Sequence, residues 1–197
     1  MQSKLKFLCL YNLLFLITLI STSEAANNEN PPQIFLLGLN DAGKTAIFNS
    51  FSGRNFTLTY PTIGFNLDEV RYKDFSLYLW DIGGQCRLRA LWRSYLTENT
   101  KAIIYVVDAA AGKERLQLAS KILHETLQNA IIPQELFLLV LANKQDIEEK
   151  LSAAQIIDGL KLVELKYEWQ LLETSAKDNT GIIESLECLR KKFNSSK

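Results

Sequence analysis

Gly38-Leu39-Asn40-Asp41-Ala42-Gly43-Lys44-Thr45 satisfies the spacing G-x-x-x-x-G-K-[ST] at every position. Gly38 and Gly43 let a backbone curl until successive N–H groups face one point, which suits a phosphate oxygen. Asn40, Asp41 and Ala42 supply the rest of that cradle. A helix opening at Lys44 adds the positive end of its dipole. The Lys44 ammonium can reach outer phosphates, and the Thr45 hydroxyl can bind Mg2+.

Three more stretches carry chemistry of the same kind. Asp81-Ile82-Gly83-Gly84-Gln85 has the form D-x-x-G-Q. An aspartate there can hold Mg2+ through water, Gly84 can bring its N–H to a terminal phosphate, and Gln85 can orient an attacking water. Asn143-Lys144-Gln145-Asp146 ends an apolar run. A carboxylate at Asp146 can accept two N–H bonds, which guanine offers and adenine does not, so the site can discriminate between bases. Ser175-Ala176-Lys177 follows a short strand-like run and can place a backbone N–H against the base. Read singly, the Asn143–Asp146 stretch is a solvated polar loop and Ser175–Lys177 carries no meaning. Two rival readings stay open at this level: a nucleotide-binding module without hydrolysis, and an adenine-nucleotide P-loop enzyme.

The elements that must position these residues are visible as patterns. "QIFLLG" reads as a buried strand feeding the glycine-rich turn, and "KTAIFNSFS" as the helix after it. "GFNLDEVRY" and "FSLYLWD" read as two strands joined at Lys73-Asp74, a short polar turn that suits a hairpin. "AIIYVVD" and "LFLLVLANKQD" are continuous apolar runs, as strands buried on both faces are. "KERLQLASKILHETLQN" has helical spacing. Ile182, Ile183, Leu186, Leu189 and Phe193 are expected to share one face of a last helix. Strands alternating with helices predict an α/β fold with a mainly parallel sheet. Ligands then sit at the carboxyl ends of strands, where each polar loop named above is found.

Composition narrows the function class. The chain has 197 residues, 47% of them hydrophobic. Without its N-terminal segment, roughly 165 to 170 residues remain, enough for one domain with a full core. Charge is balanced, 22 basic against 22 acidic, so no basic surface argues for nucleic acid. Cys9, Cys86 and Cys188 make no disulfide framework and favour a reducing compartment. The sequons at Asn55 and Asn194 matter only if the chain is lumenal.

The four motifs in this order resemble the Ras superfamily of small GTPases, and within it the Arf and Arf-like family. "PTIGFN" (61–66), "WDIGGQ" (80–85), "LWRSY" (91–95) and "LANKQD" (141–146) carry the likeness, which spans about residues 33–193. The resemblance implies a six-stranded mixed, mainly parallel sheet flanked by helices, with one antiparallel interswitch strand. It implies a slow, Mg2+-dependent switch binding GTP and GDP, probed by exchange factors, GTPase-activating proteins and effectors. Thr62 matches the switch threonine that joins Thr45 and Asp81 around Mg2+. Gly84 and Gln85 match the second switch. Phe65, Trp80 and Tyr95 match an aromatic triad read by partners; taken alone, they would be ordinary hairpin packing. The family also implies a monomer working in membrane trafficking. Its interswitch hairpin, here around Lys73-Asp74, slides when the N-terminal helix leaves the domain for the membrane, which couples nucleotide to membrane contact.

The sequence also departs from the family. Position 2 is Gln, which excludes N-myristoylation, and "NSSK" excludes prenylation. Asn40-Asp41 stands where the family usually has an aspartate first and a small residue or Asn second. That moves a carboxylate relative to the phosphates and leaves hydrolysis and the response to activating proteins open. Cys86 replaces a usually charged residue and reads as a surface cysteine. His124 reads as structural.

Residues 1–25 form an apolar N-terminal segment, 26–32 a polar linker, 33–193 the domain and 194–197 a tail. Between Phe7 and Ile20 only Asn12 and Thr18 are clearly polar. They lie about 120° apart on a helical wheel of 100° per residue, with no polar face between them. An interfacial helix needs such a face. The run uncharged from Phe7 to Ser23 is 17 residues long, short of the about 20 that span a bilayer. Lys4 and Lys6 before it and Ser23-Glu24-Ala25 after it fit a signal peptide cut near Ala25. Two expectations therefore stand beside a third, that the segment is not made: membrane contact through residues 5–20 on the cytoplasmic face of an intracellular membrane, or the secretory pathway after cleavage.

Overall fold

Period-two alternation decides which side chains go to which face of the sheet. In the computed structural model of the chain, residues 31–194 are described, and the readings of 1–30 and 195–197 lie outside them. The chain divides into two units, Met1–Pro31 and Pro32–Lys197, of which the second is described here.

Six strands are present among the described residues: β1 (Gln33–Leu37), β2 (Phe65–Tyr72), β3 (Phe75–Ile82), β4 (Thr100–Asp108), β5 (Phe137–Asn143) and β6 (Glu168–Glu173). Their order in the sheet is β2-β3-β1-β4-β5-β6. Only the β2–β3 pair is antiparallel; the other four pairs are parallel. The six-stranded mixed sheet with one antiparallel interswitch strand is therefore present. Central β1 puts the phosphate-loop motif between the loops that leave β3 and β4.

The helices are α1 (Lys44–Phe51), α2 (Cys86–Arg89), α3 (Trp92–Tyr95), α4 (Gly112–Asn129), α5 (Ala153–Leu160) and α6 (Ile182–Asn194). Ile34 and Leu36 of β1 join Ile104 and Val106 of β4 beneath α1 and α6, in a cluster with Ile47, Phe51, Ile182, Leu186 and Leu189. Phe35, Leu37, Ile103, Tyr105 and Val107 face the other way, against Trp92, Leu116, Leu123, Ile156 and Leu160. The two clusters are the two layers that bury a parallel sheet. His124 reaches the Leu160 carbonyl at 3.0 Å and braces α4 against the end of α5.

Two local features differ from the sequence expectation. Ile183 is 55% exposed, whereas Ser185 is buried beside Ile182, Leu186 and Leu189. Adjacent helical positions are 100° apart, so a stripe centred on 182, 186 and 189 leaves 183 at its edge. The second is α5, which the apolar pattern of "SAAQIIDGL" does not announce. Its start carries a capping box in which Ser152 and Gln155 satisfy each other's backbone N–H.

Candidate active site

The backbone at 38–45 is set by contacts that forbid side chains. A Cβ on Gly38 would lie 2.3 Å from the Val106 carbonyl oxygen of the neighbouring strand, and its φ is +142°. Gly43 takes the left-handed conformation at the start of α1, which has no side-chain cap and no acidic residue in its first turn. Its leading N–H groups are thus left for an anion, with the helix dipole behind them. Lys44 is buried and donates to the Leu39 carbonyl at 3.0 Å. Burial pulls the Lys44 ammonium down to about 8, and Arg89 and Arg115 add to this against the opposing pull of Asp81 and Asp41. Gly84 packs directly on this lysine, since a Cβ there would stand 2.4 Å from Lys44 Nζ.

Three oxygens converge beside the loop. Thr45 Oγ1 donates to Asp81 Oδ2 at 2.8 Å and lies 3.0 Å from Thr62 Oγ1. Thr62 Oγ1 lies 3.4 Å from the same carboxylate oxygen, and Asn66 Nδ2 donates to it at 3.0 Å. Asp81 is fully buried, and its other oxygen, Oδ1, has no hydrogen-bond partner. Hard oxygen donors clustered in this way suit Mg2+, which takes oxygen ligands and keeps several waters, so that Asp81 could act through one of them. Thr45, Thr62 and Asp81, predicted as metal residues from positions 17 and 19 apart, are thus brought together.

A cleft of about 350 Å³ opens over these groups. Asn40, Asp41, Gly43, Lys44, Thr45, Thr62, Gly84, Gln85, Asn143, Lys144, Asp146, Ala176 and Lys177 line it. Gly38, Ala42, Asp81 and Ser175 are buried and do not line it. At the far end, Ser175 Oγ donates to Asp146 Oδ1 at 2.8 Å and Lys177 Nζ lies 3.4 Å from Oδ2. The Ser175 hydroxyl, with Lys177 behind it, holds the Asp146 carboxyl below its ordinary value. A fixed, ionised acceptor is what a base with adjacent N–H donors requires.

Two predicted binding residues spend their side chains within the protein. Lys144 pairs with Asp108 at 2.7 Å. Asn143 donates to the Ala42 carbonyl at 2.8 Å and accepts from the Ala176 N–H at 3.2 Å. Asn143 therefore braces the phosphate loop to the base loop.

The strap 56–61 was not singled out as cleft wall by sequence, yet Phe56, Thr57, Leu58, Thr59, Tyr60 and Pro61 line the opening. Leu58 and Tyr60 are 91% and 90% exposed. Apolar side chains left in water on a segment without strand pairing are the signal such a strap leaves. The aromatic trio does assemble: the Phe65 ring lies 5.1 Å from Trp80 and 5.6 Å from Tyr95. Phe65 is 45% exposed, so the trio ends on the surface.

Comparison with known proteins agrees with this geometry. A sequence model of the ADP-ribosylation factor family matches residues 18–193. ADP-ribosylation factor-like protein 1 of Saccharomyces cerevisiae is 44% identical over 158 residues, covering 80% of this chain and 85% of that protein. The fold is similar to that of the Arl6 BBS3 small GTPase from Trypanosoma brucei, solved with the nucleotide analogue GppNp. That likeness has a TM-score of 0.66 and 24% identity, over 83% of this chain and 97% of the other.

Proposed function

The chain belongs to the ADP-ribosylation factor family of small GTPases, and on that premise we propose that it is a slow, Mg2+-dependent GTP switch in membrane trafficking. The family binds GTP and GDP with Mg2+ and hydrolyses GTP, and it works with exchange factors, activating proteins and effectors. The observation that carries the finer reading is the convergence of Thr45, Thr62 and Asp81 oxygens beside Lys44.

In this reading Thr45 and Thr62 would hold Mg2+ and Asp81 would hold it through water; the ion would supply neutralisation of phosphate charge. The backbone of 38–44 and the Lys44 ammonium bind the phosphates, which restores the proton that burial loosens on Lys44. Gly84 offers its N–H to the terminal phosphate, and Gln85 orients the attacking water. Asp146 reads the guanine edge, steadied by Ser175, while Ala176, Lys177 and Lys144 enclose the base. Phe65, Trp80 and Tyr95 form the surface that partners read.

Single-turnover GTP hydrolysis tests this directly. Wild type should turn over slowly with Mg2+, and chelation or Gln85→Leu should each lower the rate at least tenfold. Equal rates in wild type and Gln85→Leu would remove Gln85 from the mechanism.

Arf-like proteins act at intracellular membrane surfaces. Among the described residues no helix is long and apolar enough to cross a membrane. We place the domain, 33–193, on the cytoplasmic face, joined by the linker 26–32 to membrane contact within 1–25, with 194–197 as a tail. Protease protection of microsomes carrying the C-terminally tagged full chain, with N-terminal sequencing, decides this. An intact chain digested from outside supports it, and a protected chain starting near Ala26 overturns it in favour of export.

A further inference from the structure

We propose that Arg89 is a positioning residue for hydrolysis, fixing the Gly84–Gln85 peptide and tying it to the phosphate loop through Asn40. The proposal rests on the reading of Gln85 given above. Arg89 Nε donates to the Gly84 carbonyl at 2.8 Å, and its Nη2 donates to Asn40 Oδ1 at 3.3 Å. Arg115, from α4, donates through Nη2 to the Asn40 carbonyl at 2.6 Å and to Asn40 Oδ1 at 3.1 Å. Asn40 Nδ2 in turn donates to Asp41 Oδ2 at 2.6 Å. Two guanidiniums thus share one neutral acceptor on the phosphate loop.

The direction of these bonds matters more than their number. In a trans peptide the C=O and the following N–H point opposite ways. Trp92 Nε1, buried, donates to the Gly83 carbonyl at 3.0 Å. With Arg89 on the next carbonyl, two consecutive peptide planes are pinned by donors from α2 and α3. The N–H groups of Gly84 and Gln85 are therefore turned away from those helices, at two residues that line the cleft. Arg89 itself does not line the cleft. It lines a separate groove of about 430 Å³ with Cys86, Ala90, Arg93 and Ile122. Its hydrogen bonds act on the reaction through Gly84 and Gln85 and on the phosphate loop through Asn40, and its repulsion of Lys44 matters little at pH 7, where that ammonium keeps its proton.

This placement separates rate from affinity. A displacement of about 1 Å at a reacting group can slow a reaction about 10²-fold. In the full chain, Arg89→Ala should slow single-turnover GTP hydrolysis at least tenfold while GDP dissociation stays within twofold of wild type. Because the groove beside Arg89 is open, methylguanidinium should restore part of the rate, and methylammonium, which cannot span two acceptors, should not. Arg89→Lys should be slow for the same reason, and it serves as the second variant if Arg89→Ala misfolds. An unchanged rate, a parallel loss of rate and nucleotide affinity, or rescue by methylammonium as good as by methylguanidinium each overturns the proposal. Gln85→Leu run in parallel separates the two ideas. If it hydrolyses GTP like wild type, the underlying reading fails; if it is slow and Arg89→Ala is not, only the role of Arg89 fails.

Discussion

The Asn143 side-chain amide donates to the Ala42 carbonyl at 2.8 Å, joining two loops 101 residues apart. The same side chain accepts from Ala176, so one buried amide fastens three of the four motif loops. Asn143→Ala leaves the Ala42 carbonyl and the Ala176 N–H without partners. Each such buried group costs about 1–3 kcal/mol. Thermal unfolding of the GDP-bound domain should show a loss of about 2–4 kcal/mol, and GDP should dissociate faster. Unchanged unfolding and unchanged release would mean the brace carries no load.

The buried ammonium of Lys44 should make nucleotide affinity depend on pH. With its pKa in the empty site near 8, the form that binds phosphate dominates at pH 7 and is the minority at pH 9. Binding above pH 8 must take up a proton, so affinity falls as pH rises. Equilibrium titration with GDP should weaken roughly tenfold from pH 7 to pH 9, following the fraction protonated. Lys44→Arg, always charged, should flatten that profile even if it binds less well.

Asp146 is the residue on which base choice is expected to turn. Its carboxyl is held below the ordinary range by Ser175 first, then by its own backbone N–H and by Lys177. It therefore stays ionised throughout the pH range in which the domain is handled, and guanine selectivity should be flat from pH 5 to 8. Competition binding should show GDP preferred over ADP by several orders of magnitude in wild type. Asp146→Asn should reduce GDP affinity at least about 100-fold. Ser175→Ala should produce a smaller loss in the same direction. ADP displacing GDP at similar concentration in wild type would sink the assignment.

The tip of the β2–β3 hairpin is latched to the last helix. Lys73 pairs with Glu187 at 2.8 Å, Asp74 with Arg190 at 2.9 Å, and Glu187 with Arg190 at 3.0 Å within α6. Arg190 and then Lys73 hold the Glu187 carboxyl down to about 2. A depressed carboxyl contributes above its unfolded value, near 4.5, and loses that contribution as pH falls through about 2. The latch should therefore be constant between pH 5 and 8 and weaken in acid. Glu187→Gln should speed amide exchange around Lys73 several-fold while leaving global unfolding nearly unchanged, since exposed pairs contribute little. High salt should mimic the substitution.

Much of the site was legible because it is written in consecutive residues. The phosphate loop, the Asp81–Gln85 turn and the Asn143 loop each follow an apolar strand, and the Ser175 loop follows a short, half-exposed one. A strand end is a place where sequence spacing alone fixes which side chains emerge together. The mainly parallel character followed from strands alternating with helices, and the number of strands, six, from the likeness to the Arf family. Helix α5 is only eight residues long, too short for its apolar positions to repeat along the sequence, and the pair Ser152 and Gln155 is the signal that marks its start. Ile183 was misplaced by treating neighbours 100° apart as one face.

What consecutive residues determined is local: where the backbone can curl around phosphate, which carboxylates end strands, and which membership in the Arf family those motifs imply. The order β2-β3-β1-β4-β5-β6 decided the rest. By seating β1 between β3 and β4, it brings Arg89 and Arg115 to Asn40 from 49 and 75 residues away. It also sets Asn143 under Ala42 and draws the strap 56–61 across the cleft. Those contacts depend on which strand ends become neighbours, a property of the assembled sheet that no stretch of sequence carries by itself.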